Sequence, residues 1–219
     1  QKDLFKQVGL NIKLVQLGSL ADAQRSYIKG YTDGIASTII EAVQAQSFGG
    51  KPLEIILVPD YSNGGDMIIA REEFKSIAEL KGKKIGTEVS SLGIFMLQRA
   101  LSKNNLSLND VEIINTEQMG GEKALQNKEI DAFITYPPVS IDILKQPGFH
   151  PLFTSAEIPK EIIDTVSISK ETLSKHPGFA SKFQQAWQLA LNYYQQHPQE
   201  STSLMAKREG ISVEDFQSV

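Results

Sequence analysis

SNGGDMIIAREEFKSIAELKGKKIGTEVSSLGIFML, residues Ser62 to Leu97, is the stretch on which the fold turns. The glycine-bearing turn Ser62–Asp66 feeds the short apolar run Met67–Ala70, which has the length and flanks of a buried strand. Ser76 and Glu79 then stand at capping-box spacing before a short helix that Gly82 stops. KKIGT (Lys83–Thr87) reads as the next strand. Glu88 to Ser91 lead into LGIFMLQRALSK, where Leu92, Phe95, Met96 and Leu101 share one apolar side of a helix. A strand, a polar turn and a helix, repeated at this short spacing, predict an α/β protein with mostly parallel sheets and helices on both faces.

The same rhythm extends in both directions. Upstream, NIKLVQL alternates Ile12, Leu14 and Leu17 as a strand does, and Gly18-Ser19 opens a helix over ADAQRSYIKG. DGIA (Asp33–Ala36) is a short strand, Ser37 and Thr38 are N-cap candidates for IIEAVQAQ, and LEIILVP is an apolar run suited to a strand covered on both faces. Downstream come strands VEIIN and DAFITY around a short helix, GEKALQN. A Pro137-Pro138 turn, strand DTVSIS (Asp164–Ser169) and an all-helical tail follow. In that tail Phe179, Phe183, Trp187, Leu191 and Tyr194 form a stripe expected to pack against the body of the protein.

With 219 residues, 41% of them hydrophobic, the chain can bury a sizeable core and is of a length for two small lobes. A net charge of −4 offers no broad positive field, so nucleic acid is not an expected partner. No apolar run approaches the roughly 20 residues of a membrane span. Cysteine is absent, which rules out disulfides and thiolate chemistry. His150, His176 and His197 are scattered, so neither a metal nor a cofactor is expected. No Gly-x-Ser-x-Gly elbow, phosphate loop or dinucleotide fingerprint occurs, and no catalytic residue is assigned.

In open α/β sheets, ligands sit beyond the carboxyl ends of strands, where helix N-termini expose unpaired N–H groups. Four such loops carry small polar residues: Gly18-Ser19, Ser37-Thr38, Ser62–Asp66 and Thr87–Ser91. Each can be an ordinary cap or turn. Together on one predicted edge they outline a donor-lined pocket.

Three stretches carry a family resemblance: DLFKQVGLNIKLVQLGSLADAQRSYIKGYTDGIA, the Ser62–Leu97 segment with its Leu-Lys-Gly-Lys-Lys-Ile-Gly core, and NKEIDAFITYPP. Their order over nearly the whole chain resembles the nitrate/sulfonate/taurine substrate-binding proteins of ABC importers, which also include binders of thiamin-pyrimidine precursors. The resemblance implies a two-lobed, type II periplasmic-binding-protein-like fold. Lobe one would be residues 1–70 plus 160–219 and lobe two 71–159. It implies capture of a small-molecule ligand for an ABC permease at the periplasmic or extracellular face of the membrane, with no catalysis. Carried over by position, ligand contacts would fall on Gly18, Ser19, Ser37, Thr38, Asn63, Gly65, Asp66, Ser90, Ser91, Tyr136 and Asp164. The hydroxyls would hold a polar or anionic head group, Asp66 or Asp164 would accept from an amine or ring N–H, and Tyr136 would be an aromatic wall. The same fold also serves as the sensing domain of membrane-anchored kinases or cyclases, and as a thiamin-pyrimidine synthase whose cysteine-rich motif has no counterpart here. Two departures are notable. Pro137 stands where many members have a glutamate, and the strand and helix that precede DLFKQVGL in the family, the strand lying in the middle of lobe one's sheet, are missing from this chain.

Overall fold

A computed structural model describes residues 2–217 of the chain. In order these form α1 (Leu4–Gln7), α2 (Leu20–Ile28), β1 (Gly34–Thr38), α3 (Ile39–Ser47), β2 (Leu53–Leu57), β3 (Met67–Arg71), β4 (Lys84–Thr87), α4 (Leu92–Lys103), β5 (Glu112–Asn115), α5 (Gln118–Gln126), β6 (Ala132–Thr135), α6 (Val139–Leu144), β7 (Phe149–Thr154) and β8 (Asp164–Ser169). Helices α7 (Lys170–Lys175), α8 (Phe179–Gln196), α9 (Pro198–Glu209) and α10 (Val213–Gln217) complete the tail. The α/β class expected from the sequence is the one found.

The strands form two separate sheets, ordered β1-β8-β2 and β5-β4-β6-β3-β7. The chain crosses between them twice, before β3 and before β8. The crossing segments run side by side: Tyr61 bridges Ile163, and Asp164 N donates to Asp60 O at 3.1 Å. Among the described residues only β4 with β5 and β4 with β6 pair in parallel; the other four ladders are antiparallel. The expectation of mostly parallel sheets is therefore corrected to mixed sheets. The cause is that β3 and β8, each following a crossing, enter their new sheet against the direction of the neighbours they meet.

Further corrections follow from pairing. Met67–Ala70 was expected in lobe one, yet β3 pairs with β6 and β7 in the five-stranded sheet. Phe149–Thr154, which the sequence pattern does not mark, forms a strand despite Pro151. It is an edge strand, where a residue without an N–H is tolerated. Asn11–Leu17, expected as a strand, has no regular structure, with Leu14, Val15 and Leu17 exposed. An alternating pattern becomes a strand only when a ladder partner satisfies its backbone. Among the described residues β1 pairs with β8 alone, and nothing pairs with 11–17.

Strand periodicity sets the core. Within β3, Ile68 and Ala70 face one side and Met67 and Ile69 the other. The first side meets α4, whose Leu92, Met96, Leu97, Ala100 and Leu101 are buried at helical spacing. Each large aliphatic removed from water there contributes roughly 1.5–3 kcal/mol. The second side meets Leu125 of α5 and Ile143 of α6. The smaller sheet is covered by α2 and α3 on one face and by α1 and α8 on the other. In α8 the expected stripe packs only at its start: Phe183 is buried, whereas Trp187, Leu191 and Tyr194 remain partly exposed.

Candidate functional site

The two sheets approach each other where β1 runs into α3 and β4 runs into α4. Thr38 is the N-cap of α3, and the capping box it forms with Glu41 is complete. Thr38 Oγ1 accepts from Ile40 N at 3.2 Å and donates to Glu41 Oε2 at 2.5 Å, and Thr38 N donates to the same oxygen at 3.1 Å. Glu41 is fully buried, and its other oxygen reaches across to the second sheet. There Oε1 accepts from Ser91 Oγ and from Leu92 N, both at 2.7 Å. One carboxylate thus joins the N-termini of two helices, with the partial positive charge of each directed at it.

A second tie runs parallel to the first. The Tyr136 hydroxyl, at the end of β6, accepts from Leu20 N at 3.2 Å, next to Ser19, whose Oγ caps α2 through Asp22 N. Burial pushes the Tyr136 hydroxyl pKa up, so it stays protonated.

Between the two ties lies a closed cavity of about 10 Å³, lined by Asp66, Thr87, Glu88, Gln118, Ile134 and Tyr136 among others. Tyr136 is also a wall of a more open cavity of about 290 Å³, bounded by Leu17, Gly18, Ser19, Ile35 and Pro137. Burial pushes the Asp66 carboxyl up to about 6, a hydrogen bond from Ser62 opposing the rise. Burial first, and then the neighbouring Asp60, lift Asp164 to about 7. The Glu88 carboxyl is also raised by burial. Gln118 is held in place by the Thr135 hydroxyl, which donates to its Oε1 at 2.8 Å.

The sequence-derived candidates divide accordingly. Asp66, Ser91 and Tyr136 meet at the closed cavity, and Gly18 and Ser19 line the open one. Thr38 and Asp164 are register partners across β1 and β8, close behind Glu41. Ser37 is buried, and its Oγ donates to the Thr38 carbonyl. Asn63 and Gly65 build the turn that carries Asp66; Gly64 N donates to Ser155 Oγ at 2.6 Å, and Ser155 Oγ is also 2.7 Å from Ser62 Oγ. Gly64 adopts φ +106, a conformation that favours glycine. Ser90 is half-buried beside Ser91 and lines neither cavity. Three residues the sequence reading did not select are central: Glu41, Glu88 and Gln118. Glu41 carried a signal, the Thr38-x-x-Glu41 spacing of a capping box. Glu88 belongs to the Thr87–Ser91 loop, where nothing local distinguishes it from a solvated acid.

The family model described as NMT1/THI5 like matches residues 1–201. A Brucella abortus protein, named only as a binding protein, is 30% identical over 145 residues, 65% of this chain and 46% of its own length. The chain thus spans less than half of that curated relative. Among solved structures, the alkanesulfonate-binding protein SsuA from Xanthomonas axonopodis pv. citri, bound to MOPS, superposes with a TM-score of 0.83 at 17% identity, covering 98% of this chain and 75% of that one. The desulfurization enzyme DSZB superposes with a TM-score of 0.68 at 14% identity, covering 98% and 77%. At these identities the likeness is one of fold.

Proposed function

The chain belongs to the NMT1/THI5 like family, and on that premise we propose that it captures a small solute between two α/β lobes and hands it to an ABC-type permease outside the cytoplasmic membrane. Each sheet with its helices is one lobe, and the boundary falls at the paired crossings near Tyr61 and Ile163 in place of residues 70 and 160. The observation that carries the reading is the double tie across the cleft, Glu41 to Ser91 and Leu92, and Leu20 to Tyr136. Contacts made by residues of both lobes exist only when the lobes are together, so a solute gripped by both sides favours the closed form. Of the expected contacts, Gly18, Ser19, Asp66, Ser91 and Tyr136 are the proposed set, with Glu41, Glu88 and Gln118 added. Among the described residues no helix is long and apolar enough to cross a membrane.

Two measurements test this. Mass spectrometry of small molecules released by denaturing the purified protein should find one species at near-equimolar amount. Adding that species back to stripped protein should raise its melting temperature and leave the species chemically unaltered. Conversion of the added compound would replace capture with catalysis, the reading that the likeness to a desulfurization enzyme keeps in view.

A further inference from the structure

An oxyanion held by a protein needs unsatisfied N–H and O–H donors or a cationic side chain. In this cleft the donors at the start of α4 are already taken. Ser91 Oγ and Leu92 N both give their hydrogen bonds to Glu41 Oε1. The charged groups that remain are acids, Asp66 and Glu88, beside the hydroxyls of Thr87 and Tyr136, which can donate as well as accept. Glu88 is only 5% exposed and its Oε2 is buried without a hydrogen-bond partner; Thr87 Oγ1, with the residue 1% exposed, is likewise unpartnered. Both residues line the closed cavity together with Asp66. Among the described residues no Lys, Arg or His lines either cavity. The base with an influence on Glu88 is Arg25, which is half-exposed and tied to Asp22 at 2.5 Å.

From this arrangement we infer that the cleft selects a small nitrogen cation, an amidinium, guanidinium or protonated amine, and excludes oxyanions. The inference rests on the capture reading and narrows its ligand class. A carboxylate buried without a counter-charge carries an uncompensated desolvation penalty. A cationic N–H group placed between Glu88 Oε2 and Asp66 removes that penalty by supplying charge and donors at once. An oxyanion in the same place meets acids and no base. Burial raises the Asp66 and Glu88 carboxyls, although hydrogen bonds with Ser19 and Gln118 and the charge of Arg25 hold Glu88 down in part, and a cation between them would favour both ionised forms. With the lobes together the enclosed space holds about one water, so the cationic head enters as they part. An apolar body attached to that head has Leu17, Leu20 and Ile35 to lie against on the other side of Tyr136.

Benzamidine and benzenesulfonate share a ring and differ in the head group, so calorimetric titration of the purified chain with each, and with nitrate, separates the alternatives. Benzamidine is expected to bind at least tenfold more tightly than benzenesulfonate or nitrate. Glu88→Gln is expected to weaken benzamidine at least tenfold while the empty variant melts no lower than the parent. Equal or tighter binding of benzenesulfonate or nitrate overturns the selectivity and leaves solute capture standing. No binding of any probe at millimolar concentration also overturns the selectivity, and capture is then decided separately by whether denaturation releases a molecule. Benzamidine binding that Glu88→Gln leaves unchanged places the cation elsewhere and overturns the assignment to this cleft.

Discussion

Among the described residues Glu41 has no ion-pair partner, and it is held by four hydrogen bonds, two from Thr38 at the end of β1 and two from the start of the helix opposite. Removing one partner of such an arrangement strands the rest, and charged hydrogen bonds are worth about 1.5–3 kcal/mol each. Glu41→Ala is therefore expected to cost about 3–5 kcal/mol in urea denaturation. Glu41→Gln keeps one acceptor oxygen and should cost less; equal losses would mean that the side chain serves only as filling. Asp66 behaves in the opposite sense. Its folded carboxyl titrates at about 6, above the unfolded value of about 3.9. The folded state thus binds the extra proton between those limits. The cost of ionising Asp66 is absent below about pH 4, grows as pH rises, and is complete above the folded value, at up to about 3 kcal/mol. Asp66→Asn should stabilise the protein by up to that amount at pH 7.5 and hardly at all at pH 4, and a gain independent of pH would refute the assignment. Asp66 was legible in the sequence as a polar residue at a strand edge. Its electrostatics were not, because they depend first on burial and then on Ser62 and on Glu41, 25 positions away, and burial exists only once the chain has folded.

At the scale of elements, helices and most strands followed from local pattern, whereas pairing direction and sheet membership did not. Met67–Ala70 is apolar on both faces in any sheet, so its composition could not say which lobe it joins. Asn11–Leu17 has a strand's alternation, but pattern supplies no partner. Ser76 is a related case: the box spacing with Glu79 is present, yet Ser76 makes no side-chain cap, and Glu79 Oε2 accepts from Lys75 N instead. Close packing of elements left a plainer trace. Gly121 sits inside α5, where glycine is normally unfavourable, because a Cβ there would lie 2.0 Å from the Phe133 ring on β6. Gly121→Ala is expected to force α5 off the sheet, at about 2–3 kcal/mol. That corresponds to a melting temperature lower by roughly 4–12 °C. An unchanged melting temperature would show that Phe133 repacks freely.

At the scale of the molecule, the two ties across the cleft should act as one device. Tyr136→Phe leaves Leu20 N without its acceptor, and Glu41→Gln weakens the other bridge; each should enlarge the radius of gyration of the unliganded protein in solution scattering. Because both report on the same opening, their stability effects should be non-additive by about 0.5–3 kcal/mol in a double-mutant cycle. Strict additivity would mean the bridges break independently. The two-lobed plan was legible through the order of motifs along the chain. The ties were not, since each joins residues more than 45 positions apart that no local periodicity connects.

The Glu41 bridge closes the doorway with the protein's own atoms, so arrival of a solute competes with a door already shut. Capture then proceeds at the pace at which the door swings open by itself. In stopped-flow mixing the observed rate should level off as solute is added in excess, and Glu41→Gln should raise that plateau.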